Sequence, residues 1–97
     1  MPVIIRNIFE DYCKDKFDVK DCVAVNNGSS ALIAPLWSMD LQPGDEIITT
    51  PFTFISTCTS ITIAGGTPVF VDIKERNYLI DEDKIEAAIT DKTKAIL

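Results

Sequence analysis

Ile4, Ile5, Ile8, Phe9 and Tyr12 recur at helical spacing, which predicts an amphipathic helix over roughly Val3 to Lys16. The next apolar run, Cys22-Val23-Ala24-Val25, is short and runs into Asn26-Asn27-Gly28. It reads as a buried strand ending in a sharp turn. Ser29 or Asn27 can cap a helix that reaches about Met39, with Leu32, Ile33, Leu36 and Trp37 on its apolar side. Gln42-Pro43-Gly44-Asp45 is a turn, and Glu46 to Thr50 the next strand. Phe54 to Ala64 reads as a helix despite its β-branched residues, because Gly65-Gly66 follows it as a C-cap would. Thr67 to Ile73 is a third strand. Asp81-Glu82-Asp83 then places acids where the first turn of a helix favours them, with Ile85, Ala88 and Ile89 on its inner face. Lys94-Ala95-Ile96-Leu97 begins another strand.

Helix and strand alternate throughout, a rhythm that predicts an α/β fold with a mostly parallel sheet and right-handed crossovers. Pro35 falls inside the second helix, where it removes an intrahelical hydrogen bond and should kink the axis, at a cost of about 3 kcal/mol unless offset. No repeat, low-complexity tract or linker divides the 97 residues, so at most one domain is present. A last strand cut at its start would leave a sheet edge uncovered.

Composition narrows the function classes. Net charge is −6, and the close basic pair Lys92 and Lys94 lies among acids, so no basic face is available for nucleic acid. Arg6 and Glu10 interrupt the apolar run near the N-terminus, which removes a signal-peptide reading. No apolar stretch approaches the roughly 20 residues of a membrane span. Cys13, Cys22 and Cys58 are an odd, widely spaced set that fits neither a disulfide framework nor a zinc site, and reduced thiols in a cytoplasmic protein are expected. With no histidine in the chain, Ser-His and Cys-His pairs and histidine metal sites are excluded, and no metal site is expected.

Two segments can form a site. In Val23-Ala24-Val25-Asn26-Asn27-Gly28-Ser29-Ser30-Ala31-Leu32 a strand enters a small-residue turn that opens a helix. Free N–H groups and the helix dipole favour an anion there, Gly28 permits close backbone approach, and the Ser29 and Ser30 hydroxyls can add hydrogen bonds. The same residues also suit an ordinary capped turn. They match neither GxGxxG nor GxxxxGK[ST]. In Thr49-Thr50-Pro51-Phe52-Thr53-Phe54-Ile55-Ser56-Thr57 an aromatic after the next strand can stack on a flat ring, although either phenylalanine alone is more often core. Together, a phosphate cradle after one strand and an aromatic after the next suit a planar phosphorylated ring.

The segment Ala24 to Leu32, then Leu41-Gln42-Pro43-Gly44-Asp45-Glu46-Ile47-Ile48, Pro51-Phe52-Thr53-Phe54, Gly65-Gly66-Thr67-Pro68-Val69-Phe70-Val71-Asp72-Ile73 and Ile85 to Ile96 resemble, in order and spacing, the DegT/DnrJ/EryC1/StrS aminotransferase family. The resemblance covers nearly the whole chain. It implies part of the large domain of a fold-type-I enzyme dependent on pyridoxal 5'-phosphate (PLP), with helices on both faces of a mostly parallel sheet. Residues 1–97 would be a partial domain, incomplete at both ends relative to the family. It further implies amino transfer from an amino acid such as glutamate to a keto-sugar nucleotide, usually by a homodimer with sites at the subunit interface. Gly28, Ser29 and Ser30 match the turn that holds the PLP phosphate, and Phe54 the aromatic that stacks on the pyridine ring. Thr53, Ser56 and Thr57 receive no role from it, and Asp72 is read as structural.

The family's Asp for the pyridine nitrogen and its Schiff-base Lys lie beyond the matched residues. Lys14, Lys16, Lys20, Lys74, Lys84, Lys92 and Lys94 have solvated neighbours and read as surface residues, whereas a Schiff-base lysine needs a lowered pKa. The expectation is therefore that the 97 residues carry cofactor-binding residues for the full-length protein but no catalytic residue, and are inactive alone. The alternatives are a small module that binds a phosphorylated ligand and a regulatory or interaction protein that kept the fold.

Overall fold

The computed structural model describes residues 2–97. Its elements are α1 (Val3–Phe17), α2 (Gly28–Trp37), β1 (Glu46–Thr49), α3 (Ile55–Ile63), β2 (Thr67–Phe70), a 3-10 turn (Glu82–Lys84) leading into α4 (Ile85–Ala88), and β3 (Thr93–Ile96). The three strands form one sheet in the order β2-β1-β3, and both pairings are parallel, so the fold is α/β as the alternation requires. β1 pairs with β2 from Glu46↔Thr67 to Thr49↔Phe70. Its register with β3 slips once, between Glu46 and Ile47.

β1 is the buried centre. Ile47, Ile48 and Thr49 have no exposed surface, consistent with a parallel strand covered on both faces rather than one that alternates. Leu36 from α2 and Ile61 from α3 meet Ile47, with Leu41, Ala64 and Ala95 packed around them. The end of α3 explains how the chain enters β2. Gly66 N–H donates to Ile61 C=O (3.0 Å) and Gly65 N–H to Thr62 C=O (3.1 Å), the paired bonds of a Schellman cap. Gly65 has φ +92°, which an L side chain resists. At Gly66 a Cβ would lie 3.1 Å from Leu41 Cδ1 and 3.2 Å from Ile61 Cγ2, so the strand starts tight against the core. The turn before β1 is also as expected: Asp45 N–H donates to Gln42 C=O (2.9 Å), with Gly44 at φ +93°.

Three expectations are corrected. Cys22 to Val25 belongs to no strand and is not buried, with Val23 78% exposed. An apolar run becomes a strand only when a neighbour pairs with its backbone, and no described strand lies beside it; its tie is Ala24 N–H to Glu10 Oε1 on α1 (2.8 Å). There Cys22 sits near Cys13, and burial together with that thiol pushes the Cys22 thiol up. The strand expected from Thr67 to Ile73 stops at Phe70. After Val71 N–H donates to Thr49 C=O the chain folds back, and Ile73 instead bridges Ile80 antiparallel. Tyr78 turns this loop at φ +59°. The helix expected from Asp81 is only a 3-10 turn followed by one α-helical turn. Its acids are drawn to Lys74, whose ammonium contacts Asp81, Glu82 and Asp83.

α1 forms where the periodicity places it, ending at Asp18 in the left-handed region (φ 51°). None of its residues is buried, and Ile4 and Ile8 are 73% and 65% exposed. α2 runs through Pro35 and stops two residues later, so the missing N–H falls in its last turn.

Candidate functional site

The site is built where two helices begin side by side. Asn27 is extended (φ −164°), and its side chain accepts from Ser30 N–H (2.8 Å), so Asn27 rather than Ser29 caps α2. Ser30 Oγ donates to Asn26 Oδ1 (2.7 Å), bracing the turn from within. The cap leaves Gly28 N–H and Ser29 N–H without partners among the described residues. α3 begins one strand later. Phe54 is its N-cap, and Ile55 N–H and Ser56 N–H are likewise unpartnered among the described residues. α2 packs along α3, and Ser29 Oγ meets Ser56 Oγ at 2.7 Å across the two first turns. Thr53 Oγ1 and Thr57 Oγ1 form a second hydroxyl pair at 2.9 Å.

Between these helix starts lies an open cleft of about 490 Å3, lined by Asn27, Gly28, Ser29, Leu32, Phe54, Ser56 and Thr57. That size falls in the range of about 300–1,000 Å3 usual for small-ligand sites. One part offers hydroxyls and free N–H groups, another the apolar surfaces of Leu32 and Phe54. Gly28 keeps its wall open: a Cβ there would meet no heavy atom within 4 Å, and its φ is not in the left-handed region. No lysine or arginine lines the cleft. An anion there would be held by N–H groups, hydroxyls and two converging helix dipoles, each equivalent to about +0.5 charge.

Three of the four expected site residues therefore meet in one cleft. Gly28 and Ser29 contribute from α2 and Phe54 from the start of α3. Ser30 does not line it; its side chain and N–H are engaged with Asn26 and Asn27. Neither phenylalanine is core. Phe54 is 75% exposed and Phe52 61%, the latter stacked on Tyr78 with ring centroids 5.6 Å apart. Ser56 and Thr57 were given no role by the sequence reading, yet both line the cleft. Their signal was their place in the first turn of a helix, the same signal that singled out Ser29. Asp72 does local structural duty, its carboxylate accepting from Ile73 N–H and its C=O from Asp81 N–H.

The lysines stand apart from the cleft. Lys14 is paired with Asp11, Lys84 with Asp81 and Lys94 with Asp45. The hydrogen bond to Glu82 holds Lys74 above the ordinary lysine range, and the hydrogen bond to Asp11 does the same for Lys14. Both shifts oppose the lowering that a nucleophilic amine needs. Among the described residues no group of three His, Cys, Asp or Glu could hold a metal ion, and no helix is long and apolar enough to cross a membrane.

The fold is a parallel α/β unit, and its polar-and-aromatic cleft lies at helix starts just beyond the carboxyl end of β1, where open α/β sheets usually bind ligands. The sequence pattern of the DegT/DnrJ/EryC1/StrS aminotransferase family matches residues 6–97. The chain belongs to that family. It is 45% identical over 95 residues to GDP-perosamine synthase of Caulobacter vibrioides, which covers 98% of this chain and 24% of that protein. It is 41% identical over 88 residues to the UDP-2-acetamido-2-deoxy-3-oxo-D-glucuronate aminotransferase of Pseudomonas aeruginosa, covering 91% of this chain and 24% of that one. Among solved structures, the PLP form of Spr1654 from Streptococcus pneumoniae superposes with a TM-score of 0.88 at 35% identity, over 94% of this chain and 23% of that one. The chain thus spans about a quarter of the length of the curated relatives it matches.

Proposed function

We propose that residues 1–97 are the cofactor-phosphate-binding part of the large domain of a PLP-dependent aminotransferase. The intact enzyme would move an amino group from an amino acid such as glutamate to a keto-sugar nucleotide, as a cytoplasmic homodimer. The observation that carries this reading is the convergence of the α2 and α3 starts with Phe54 on one cleft. Family membership supplies the reaction class. The resemblance to a structure in its PLP form supplies the cofactor.

The residues present fit such a cofactor. Gly28 and Ser29 would hold its phosphate through backbone N–H groups and the Ser29 hydroxyl, in a turn braced by Ser30 through Asn26 and Asn27. Phe54, largely exposed beside them, would lie against the ring. When bound, PLP would supply an aldehyde carbon that carries the amino group between donor and acceptor and a ring that withdraws electrons. The work of this chain is to bind and orient. It fixes the ring's position through its phosphate and limits its tilt through an aromatic face, so that the reacting carbon is presented in one geometry. No lysine lines the cleft, so the covalent attachment of cofactor is assigned to residues outside these 97.

The test compares the intact polypeptide carrying residues 1–97 with the isolated 97-residue chain. Each is incubated with PLP, glutamate and a panel of keto-sugar nucleotides. Amino-sugar formation by the intact polypeptide alone is expected. Turnover by the isolated chain that disappears when one of its own lysines is replaced would overturn the division of labour. An intact polypeptide that binds no PLP would overturn the reading itself.

A further inference from the structure

Ser56 lies 27 residues from Ser29 in sequence, yet their hydroxyl oxygens are 2.7 Å apart on the wall of the same cleft. A serine hydroxyl has one hydrogen to donate and two lone pairs to accept with. A phosphate dianion can only accept. If the Ser29 hydroxyl turns its single hydrogen towards a phosphate, the contact with Ser56 requires Ser56 to be the donor. The result is a directed chain from Ser56 Oγ–H to Ser29 Oγ and from Ser29 Oγ–H to the phosphate. Each bond in such a chain polarises the next. The same contact also fixes the Ser29 rotamer, which removes an entropic cost of ordering it on binding.

Other partners do not compete for these hydroxyls. Ser29 Oγ and Ser56 Oγ have only each other among the described residues, whereas Ser60 Oγ bonds back to Thr57 C=O and Ser38 Oγ to Pro35 C=O in the way helical serines usually do. Ser56, in the first turn of α3, has no carbonyl of that helix three or four residues before it, and its hydroxyl reaches to the neighbouring helix instead.

We propose that Ser56 is a positioning residue for phosphate recognition: through its hydrogen bond it holds the Ser29 hydroxyl as a donor aimed at the cofactor phosphate. This deepens the PLP reading above and rests on it. It makes Ser29 and Ser56 a unit, coupling the first turn of α2 to that of α3, so that the phosphate grip is shared between the two helices.

The test is a double-mutant cycle in the intact polypeptide, with Ser29→Ala, Ser56→Ala and both together. PLP and its unphosphorylated counterpart pyridoxal are titrated in parallel by fluorescence, and thermal unfolding is followed for each variant. Ser29→Ala is expected to weaken PLP about tenfold or more, and Ser56→Ala about threefold to tenfold, the scale of one charged and one neutral hydrogen bond. In the Ser29→Ala background, Ser56→Ala should cost less than about twofold, since its effect passes through the missing hydroxyl. Ser56→Thr, which keeps a hydroxyl, should restore affinity, and pyridoxal binding should not respond to Ser56→Ala. Equal losses from Ser56→Ala in both backgrounds, equal losses for PLP and pyridoxal, or no loss at all would overturn the inference while leaving the PLP reading in place. If the unmodified polypeptide shows no preference for PLP over pyridoxal, the phosphate reading fails, and this inference with it.

Discussion

Gly28 separates the demands of the fold from those of a ligand. Its backbone does not need a glycine, and a side chain added there would stand in open space on the cleft wall. Gly28→Val should therefore change unfolding free energy by less than about 1 kcal/mol. It should weaken PLP by about tenfold or more, by holding the phosphate off N–H donors whose bonds to a charged group are worth about 1.5–3 kcal/mol. Denaturant unfolding and PLP titration of the same variant check both halves. Equal stability with undiminished binding would mean that the turn only caps a helix. Thr49 poses the opposite case. Its hydroxyl is fully buried and has no partner among the described residues. Thr49→Val keeps the shape and removes the unmet polar group, so unfolding free energy should rise by about 1 kcal/mol, with PLP binding unchanged. A loss of stability would show that the hydroxyl has a partner in the intact protein. The sequence points to Gly28, Ser29 and Phe54, which line one cleft, because each carries its reason locally, as a small residue, a helix-start hydroxyl and an aromatic after a strand. Ser56 escaped because its meaning comes from Ser29, 27 positions away.

At the scale of elements, the segments that formed as read are those whose stop signals are covalently close. Gly65-Gly66 predicted the end of α3, and both cap bonds are present. That cap sets the path from α3 into the sheet and so the angle at which α3 points its first turn into the cleft. Gly65→Ala should destabilise by about 1–2 kcal/mol through its left-handed backbone (φ +92°), and Gly65→Asn by less, since asparagine tolerates that region. Thermal or denaturant unfolding of the two variants measures the ranking, and equal losses would implicate lost packing rather than backbone conformation. The elements misread are those defined by distant partners. Cys22 to Val25 has the composition of a strand, but its described tie is a side chain of α1. The acids after Asp81 have the composition of a helix start, but Lys74 from the preceding loop gathers them instead. Periodicity reports which face is apolar and for how long. It carries no information about which neighbour arrives to pair with it.

For the whole molecule, the quantity to explain is uncovered surface. The chain exposes 6966 Å2, against about 5,500 Å2 for a closed monomer of its mass. Its radius of gyration is 15.7 Å, against about 12.5 Å for a compact domain of this length. Apolar residues of α1 add to the uncovered surface, with Ile4, Ile5, Ile8, Phe9 and Tyr12 all more than half exposed. Such a surface is covered by further chain or by a partner, or it drives association. The isolated 97 residues should accordingly form oligomers, aggregates or a molten state. A sharp monomer peak by size exclusion with light scattering, together with well-dispersed amide NMR signals, would contradict this. The central claim is that the two helix starts and Phe54 form the grip on PLP. The most direct test is a crystal structure of the intact polypeptide with PLP bound. Phosphate oxygens are expected within about 2.7–3.2 Å of the Gly28 and Ser29 amide nitrogens and about 2.5–3.0 Å of Ser29 Oγ, with the Phe54 ring against the pyridine. A phosphate seated elsewhere, with this cleft left to solvent, would contradict it.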